Sequence, residues 1–97
     1  MPEISNYPQA LKIVDKKIRD KNRRATIKDA LDTLAAQSWL EYTSSQSYNR
    51  HHLTRNRNEV SITLPGCNPG AYRFIINEYP DENCIQVLDF GKHKDVY

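Results

Sequence analysis

The chain has no apolar run long enough to cross a bilayer, and its opening, MPEISNYP, carries neither the basic n-region nor the apolar h-region of an export signal. Membrane insertion and secretion are therefore not expected, and a cytoplasmic location is. Cysteine is scarce. Cys67 and Cys84 stand far apart, without the CxxC spacing that serves metals or redox chemistry, and both are expected as reduced thiols. Internal repeats and low-complexity tracts are missing, and 97 residues leave room for one core and one domain, residues 1–97. Net charge is small as well, at +2, so the overall field is modest and local patches matter more.

Two such patches are present. Lys12, Lys16, Lys17, Arg19, Lys21, Arg23, Arg24 and Lys28 are interrupted only by Asp15 and Asp20, and Arg50, His51, His52, Arg55 and Arg57 form a second cluster with no acid. A solvated helix and loop surface accounts for them as well as a polyanion-facing surface does. From Gln9 the pattern is helical, with Leu11, Val14 and Ile18 on one side. Thr26 followed by Asp29 resembles a capping box and predicts a second helix that buries Ile27, Ala30, Leu31 and Leu34. Glu3 to Tyr7 reads either as an edge strand or as a disordered start. Ser38 to Asn58 is polar, with Trp39, Leu40, Tyr42, Tyr48 and Leu53 as isolated anchors; a functional loop, a disordered one and a hidden strand all remain open. Trp39 and Tyr48 read as packing anchors before base-stacking platforms. Adjacent His51 and His52 point apart on a strand and, with the cysteines remote, give a metal site little support.

Strand patterns dominate the C-terminal part. Val60, Ile62 and Leu64 alternate with Ser61 and Thr63, the stretch PGCNPG punctuates, and Tyr72 to Tyr79 and Cys84 to Phe90 flank the turn Pro80-Asp81-Glu82-Asn83. A four-residue loop sets Tyr79 opposite Cys84, and antiparallel counting then sets Arg73 opposite Phe90; Leu64 falls near Tyr72 and Thr63 near Arg73. Val60, Ile62, Leu64, Tyr72, Phe74, Ile76, Ile85 and Val87 then share the face assigned to the helices. Ser61, Thr63, Arg73, Ile75, Leu88 and Phe90 share the other. The predicted architecture is α+β, a helical hairpin packed on a small antiparallel sheet.

This register gathers Arg73, Lys92, His93, Lys94 and Tyr97 at one end of the sheet. Fixed cations beside groups able to move protons suit phosphoryl chemistry. Composition and spacing alone favour the plainer description, an arginine paired with Asp89 or Asp95 and a solvated KHKD tail.

The span YRFIINEYPDENCIQVLDFGKHKDVY resembles the C-terminal half of the RelE/ParE toxin superfamily: a strand opening on Tyr-Arg, a hairpin, an apolar strand, and a basic end closing on Asp-Val-Tyr. The helical hairpin before it fits the same order. The resemblance implies the toxin of a type II toxin-antitoxin system with a cognate antitoxin protein as partner. In the RelE-like branch it would be an endoribonuclease, an mRNA interferase acting on mRNA on the ribosome, with no cofactor and no metal. In the ParE-like branch it would inhibit DNA gyrase, and a non-enzymatic nucleic-acid or protein-binding module of the same fold is the remaining alternative. The ribonuclease branch implies Arg73, His93 and Tyr97 as catalytic residues and Lys92 and Lys94 as substrate-binding ones. Some members carry lysines on the strand before Tyr-Arg, where this chain has Ser61 and Thr63, so Arg55 and Arg57 are the cations expected to replace them. By this analogy Tyr97 or His93 is the base, Arg73 and Lys92 clamp the phosphate, and His93 or Lys94 is the acid.

Overall fold

The computed structural model describes residues 2–53, 58–67 and 72–92. Helix α1 (Tyr7–Lys17) has Pro8 in its first turn, where a fixed φ and a missing N–H cost nothing, and Lys16 and Lys17 in its last, facing the negative end of the dipole. Ala10 and Val14 are buried along it, and Ile18 at the C-cap continues the stripe. Helix α2 (Lys21–Ala36) begins about a turn and a half before the point predicted from Thr26. Its N-cap is Asp20, whose carboxylate accepts from the Asn22 and Arg23 N–H groups at 2.9 and 3.3 Å, satisfying two orphan donors. Thr26, inside the helix, instead donates its hydroxyl to the Asn22 carbonyl at 3.0 Å. The predicted stripe of Ile27, Ala30, Leu31 and Leu34 is buried.

The stretch after Gln37 holds structure that its composition hides. Ser38 and Glu41 exchange hydrogen bonds, Glu41 N–H to Ser38 Oγ at 3.1 Å and Ser38 N–H to Glu41 Oε1 at 3.2 Å, a capping box that opens α3 (Trp39–Ser44). A 3₁₀ turn over Gln46–Tyr48 follows, then the two-residue strand His51–His52.

Five strands form one sheet among the described residues: β1 (Glu3–Ile4), β2 (His51–His52), β3 (Glu59–Ile62), β4 (Tyr72–Tyr79) and β5 (Cys84–Lys92), in the spatial order β1-β5-β4-β3-β2. Pairs β2·β3, β3·β4 and β4·β5 are antiparallel, but β1 runs parallel to β5, so the sheet is mixed where an antiparallel one was expected. The stretch Glu3 to Tyr7, open between two readings in the sequence, thus contains an edge strand. The Asn6 side chain extends its pairing by donating to the Val87 carbonyl at 2.7 Å and accepting from the Val87 N–H at 2.9 Å.

Between β4 and β5 the expected register holds at the turn, where Tyr79 opposes Cys84, and as far as Ile76 opposite Val87. There Leu88 bulges out. Ile75 faces Asp89, Phe74 faces Phe90, and Arg73 faces Gly91, not Phe90 as predicted. An uninterrupted ladder would send Asp89 into the core and Phe90 out to solvent; the extra residue reverses that parity. Phe90 is fully buried, with its ring 4.5 Å from Phe74 and 5.2 Å from Tyr72, while Leu88 and Asp89 are exposed. Phe90 therefore moves from the open face, where counting put it, to the helix face.

The main core lies between that face and the helices. Val60, Ile62, Leu64, Phe74, Ile76, Ile85, Val87 and Phe90 meet Ala10, Val14, Ile27, Leu31 and Leu34 there. Ile75 is equally buried but stands outside this cluster, on the opposite face. Cys67 is a buried thiol and Cys84 a half-buried one, at opposite ends of β4. Among the described residues no helix is long and apolar enough to cross a membrane.

Candidate functional site

On the face away from the helices, β2, β3 and β4 bring three polar side chains together. His51 pairs with Ser61 across β2 and β3, and Ser61 pairs with Ile75, one step of the same face from Arg73. The Arg73 guanidinium is held on three sides. Its Nε donates to Ser61 Oγ at 2.6 Å, its Nη2 donates to the Asn49 carbonyl at 3.0 Å, and the same Nη2 lies 3.4 Å from His51 Nδ1. Ser61 is fully buried beneath it. Asn49 can offer its carbonyl because it sits in the left-handed region at φ 48°, at the end of the 3₁₀ turn; asparagine tolerates this better than most residues. The turn itself is fixed from both sides: Tyr48 donates its hydroxyl to Gln37 at 2.6 Å, and its carbonyl accepts the Thr63 N–H at 2.8 Å.

Among the described residues, no carboxylate lies within ion-pair range of Arg73. Asp89, the partner the plain reading suggested, turns its carboxylate onto the Phe90 N–H at 2.8 Å. Among the described residues the partners of half-buried Arg73 are thus a hydroxyl, a carbonyl and an imidazole nitrogen, an arrangement that favours an incoming oxyanion. His51 Nδ1 lies 3.3 Å from the Asn49 carbonyl as well as 3.4 Å from Arg73. It can donate to the first or accept from the second, not both. When Nδ1 keeps its proton for Asn49, the basic lone pair is on Nε2, as a general base requires.

On the helix side of the same sheet edge lies a second constellation. Arg50 grips Glu78 with two hydrogen bonds, Nε to Oε2 at 2.8 Å and Nη2 to Oε1 at 2.6 Å, and the two side chains are 20% and 5% exposed. The Tyr42 hydroxyl also donates to Glu78. Burial, and then the adjacent carboxylate, push the Tyr42 hydroxyl well above its ordinary pKa. The hydrogen bonds that Arg50 donates to Glu78 hold it all the more firmly in its charged form. His52 Nε2 is 3.5 Å from Arg50 Nη2, so His51 and His52 do point apart, toward different arginines on different faces.

Of the residues singled out from the sequence, Arg73 is the centre of the open-face cluster. Lys92, exposed at the end of β5, opposes Tyr72 and follows Phe90 by two, so alternation sends it to the helix face, away from Arg73. There Tyr72 carries the Arg23 guanidinium 5.2 Å above its ring. Arg55, Arg57, His93, Lys94 and Tyr97, and Asp95, lie outside the described residues. His51, read in the sequence as part of a basic cluster and as a weakly supported metal ligand, lies beside Arg73. The basic helical stretch divides too. Arg23 donates to the Gly66 and Cys67 carbonyls at 2.6 and 3.1 Å, and Lys28 meets Asp32 at 3.3 Å, whereas Lys12, Lys16, Lys17, Arg19 and Lys21 stay exposed.

A scan against protein-family models, a search of curated proteins and a search of solved structures each found no match to this chain.

Proposed function

We propose that this protein is a RelE-like toxin that cleaves mRNA on the ribosome, with the open face of its sheet as the cleaving surface and a cognate antitoxin protein as its partner. One observation carries the reading: Arg73, without a carboxylate partner among the described residues, lies 3.4 Å from an imidazole nitrogen of His51 on the sheet face opposite the main core. The reaction such a pair serves is transesterification. The ribose 2′-hydroxyl loses its proton to a base and attacks the adjacent phosphorus, the bond to the 5′-oxygen breaks, and an acid returns a proton to that oxygen. The products are a 2′,3′-cyclic phosphate and a 5′-hydroxyl. Arg73 supplies donors to the non-bridging oxygens as their charge grows. His51 serves as the base, a role that the resemblance gave to Tyr97 or His93; the acid stays with His93 or Lys94, and Arg55 and Arg57 are the cations that bind RNA. The work would be done in the cytoplasm, where ribosomes are.

Lys92 favours a second reading, because alternation removes it from the clamp that the ribonuclease reading gave it. In that reading the same fold inhibits DNA gyrase or binds nucleic acid without cutting it. Purified protein added to translating ribosomes separates the two. Cleavage that is slowed about a hundred- to a thousandfold by Arg73→Ala and strongly reduced by His51→Gln is the expected outcome. Intact mRNA, together with gyrase inhibition equal in wild type and Arg73→Ala, would transfer the assignment to the second reading.

A further inference from the structure

Strand β2 is two residues long and sits at the sheet edge, so two backbone pairs with β3 are a slender support for a catalytic side chain. The residue immediately before it is tied down far more strongly. Arg50 reaches to the helix side of the sheet and is gripped there through both Nε and Nη2 by Glu78, which is itself fixed by the Tyr42 hydroxyl. Tyr42 is a fully buried core residue. Arg50 stands between the two groups that approach Arg73, the Asn49 carbonyl and the His51 ring.

We propose that the Arg50–Glu78 pair is a positioning device: it anchors the chain on the helix side of the sheet so that Asn49 and His51 are presented to Arg73 on the open side. The proposal rests on the ribonuclease reading for its catalytic consequence, but not for its structural one. Burying a charge pair is a poor way to gain stability, since apolar side chains of similar volume do as well or better. What the bidentate pair adds is geometry, because two parallel hydrogen bonds fix the direction from which the Arg50 backbone leaves the sheet. Freed from Glu78, residues 49–52 would lose their tie to the helix side of the sheet, and the Nδ1 contact of His51 would become one of several conformations.

The test uses the double variant Arg50→Met/Glu78→Gln in the full chain. Met fills the volume of the arginine stem, and Gln still accepts from Tyr42, so no buried charge is left alone. Arg50→Lys, which keeps the charge but not the fork, and Leu31→Ala, which destabilises the core from α2 away from the site, serve as comparisons. NMR contacts between the His51 ring and the Arg73 side chain are expected in wild type and Leu31→Ala. They should be weakened in Arg50→Lys and lost in the double variant, while the backbone contacts Ser61–Ile75 and Ile62–Phe74 persist in all four. In single-turnover cleavage the double variant should lose roughly ten- to a hundredfold in rate with little change in RNA affinity, as a misplaced group does. Wild-type His51–Arg73 contacts in a folded double variant would overturn the proposal. If no RNA is cut even by wild type, the functional reading falls, and the NMR comparison still decides the positioning role.

Discussion

Two single residues sit where a substitution reads out their surroundings directly. Gly66 adopts φ +94°, and a Cβ there would sit 2.6 Å from Ile27 Cγ1 and 3.3 Å from the Arg23 carbonyl, both fixed inside the fold. Gly66→Ala should lose about 1–3 kcal/mol of stability in urea unfolding, from backbone strain and overpacking together. Tyr42 tests the buried constellation through pH. Its folded pKa lies above the ordinary tyrosine value of 10.0, so above that pH the unfolded chain has released a proton that the folded chain still holds. Stability must then fall as pH rises, by about 1.4 kcal/mol per unit for one proton. Wild type should therefore lose more stability between pH 9 and 11 than Tyr42→Phe does. Equal losses would mean that the hydroxyl is not held as described. At the same scale the candidate site was half legible. Arg73 stands out in the Tyr-Arg opening of an apolar strand, but its partner His51 acquires meaning only through pairing with Ser61, a contact between residues in different elements that no local pattern records.

At the scale of elements, what the chain hides is mostly short. α1 and the stripe of α2 follow from their spacing, and β3, β4 and the hairpin turn follow from alternation and turn chemistry. β1 and β2 have two residues each, too few for any period to declare itself. The start of α2 was misplaced because Asp20 and Thr26 are both competent caps, and propensity alone does not choose between them. Ser38-Trp39-Leu40-Glu41 is a capping box in plain sight, obscured by the polar stretch around it. The bulge also left a trace, since Ile85 and Val87 are spaced by two and Phe90 then breaks step by one. That parity change determines both which side chains reach the core and what lies opposite Arg73. Deleting Leu88 would remove the extra residue and restore an uninterrupted ladder, with Asp89 still opposite Ile75 and Phe90 still opposite Phe74 in the core. A change of no more than about 1 kcal/mol is expected in chemical denaturation, because no core side chain is exchanged. A loss of about 3 kcal/mol or more, the size of a large-to-small core change, would show that the bulge does not set this parity.

For the molecule as a whole, the sheet divides the labour. One face is covered by helices and supplies most of the buried apolar surface; the other carries Arg73, Ser61 and His51. The edge strand β2 joins the two, with Arg50 anchored on the first side and His51 facing the second. If the chain binds RNA as proposed, a net charge of only +2 leaves the attraction to local cations, and Lys12, Lys16, Lys17, Arg19 and Lys21 are exposed. The overall α+β plan could be read from the chain because both periodicities are long there. The site could not be read in full, because it is assembled from three strands, one of them only two residues long. The measurement that bears most directly on the proposed function is the rate of mRNA cleavage on translating ribosomes by wild type and by Arg73→Ala, both checked as folded. Removing a fixed donor to the developing phosphorane should slow cleavage by roughly a hundred- to a thousandfold. Equal cleavage by the two proteins would contradict the account.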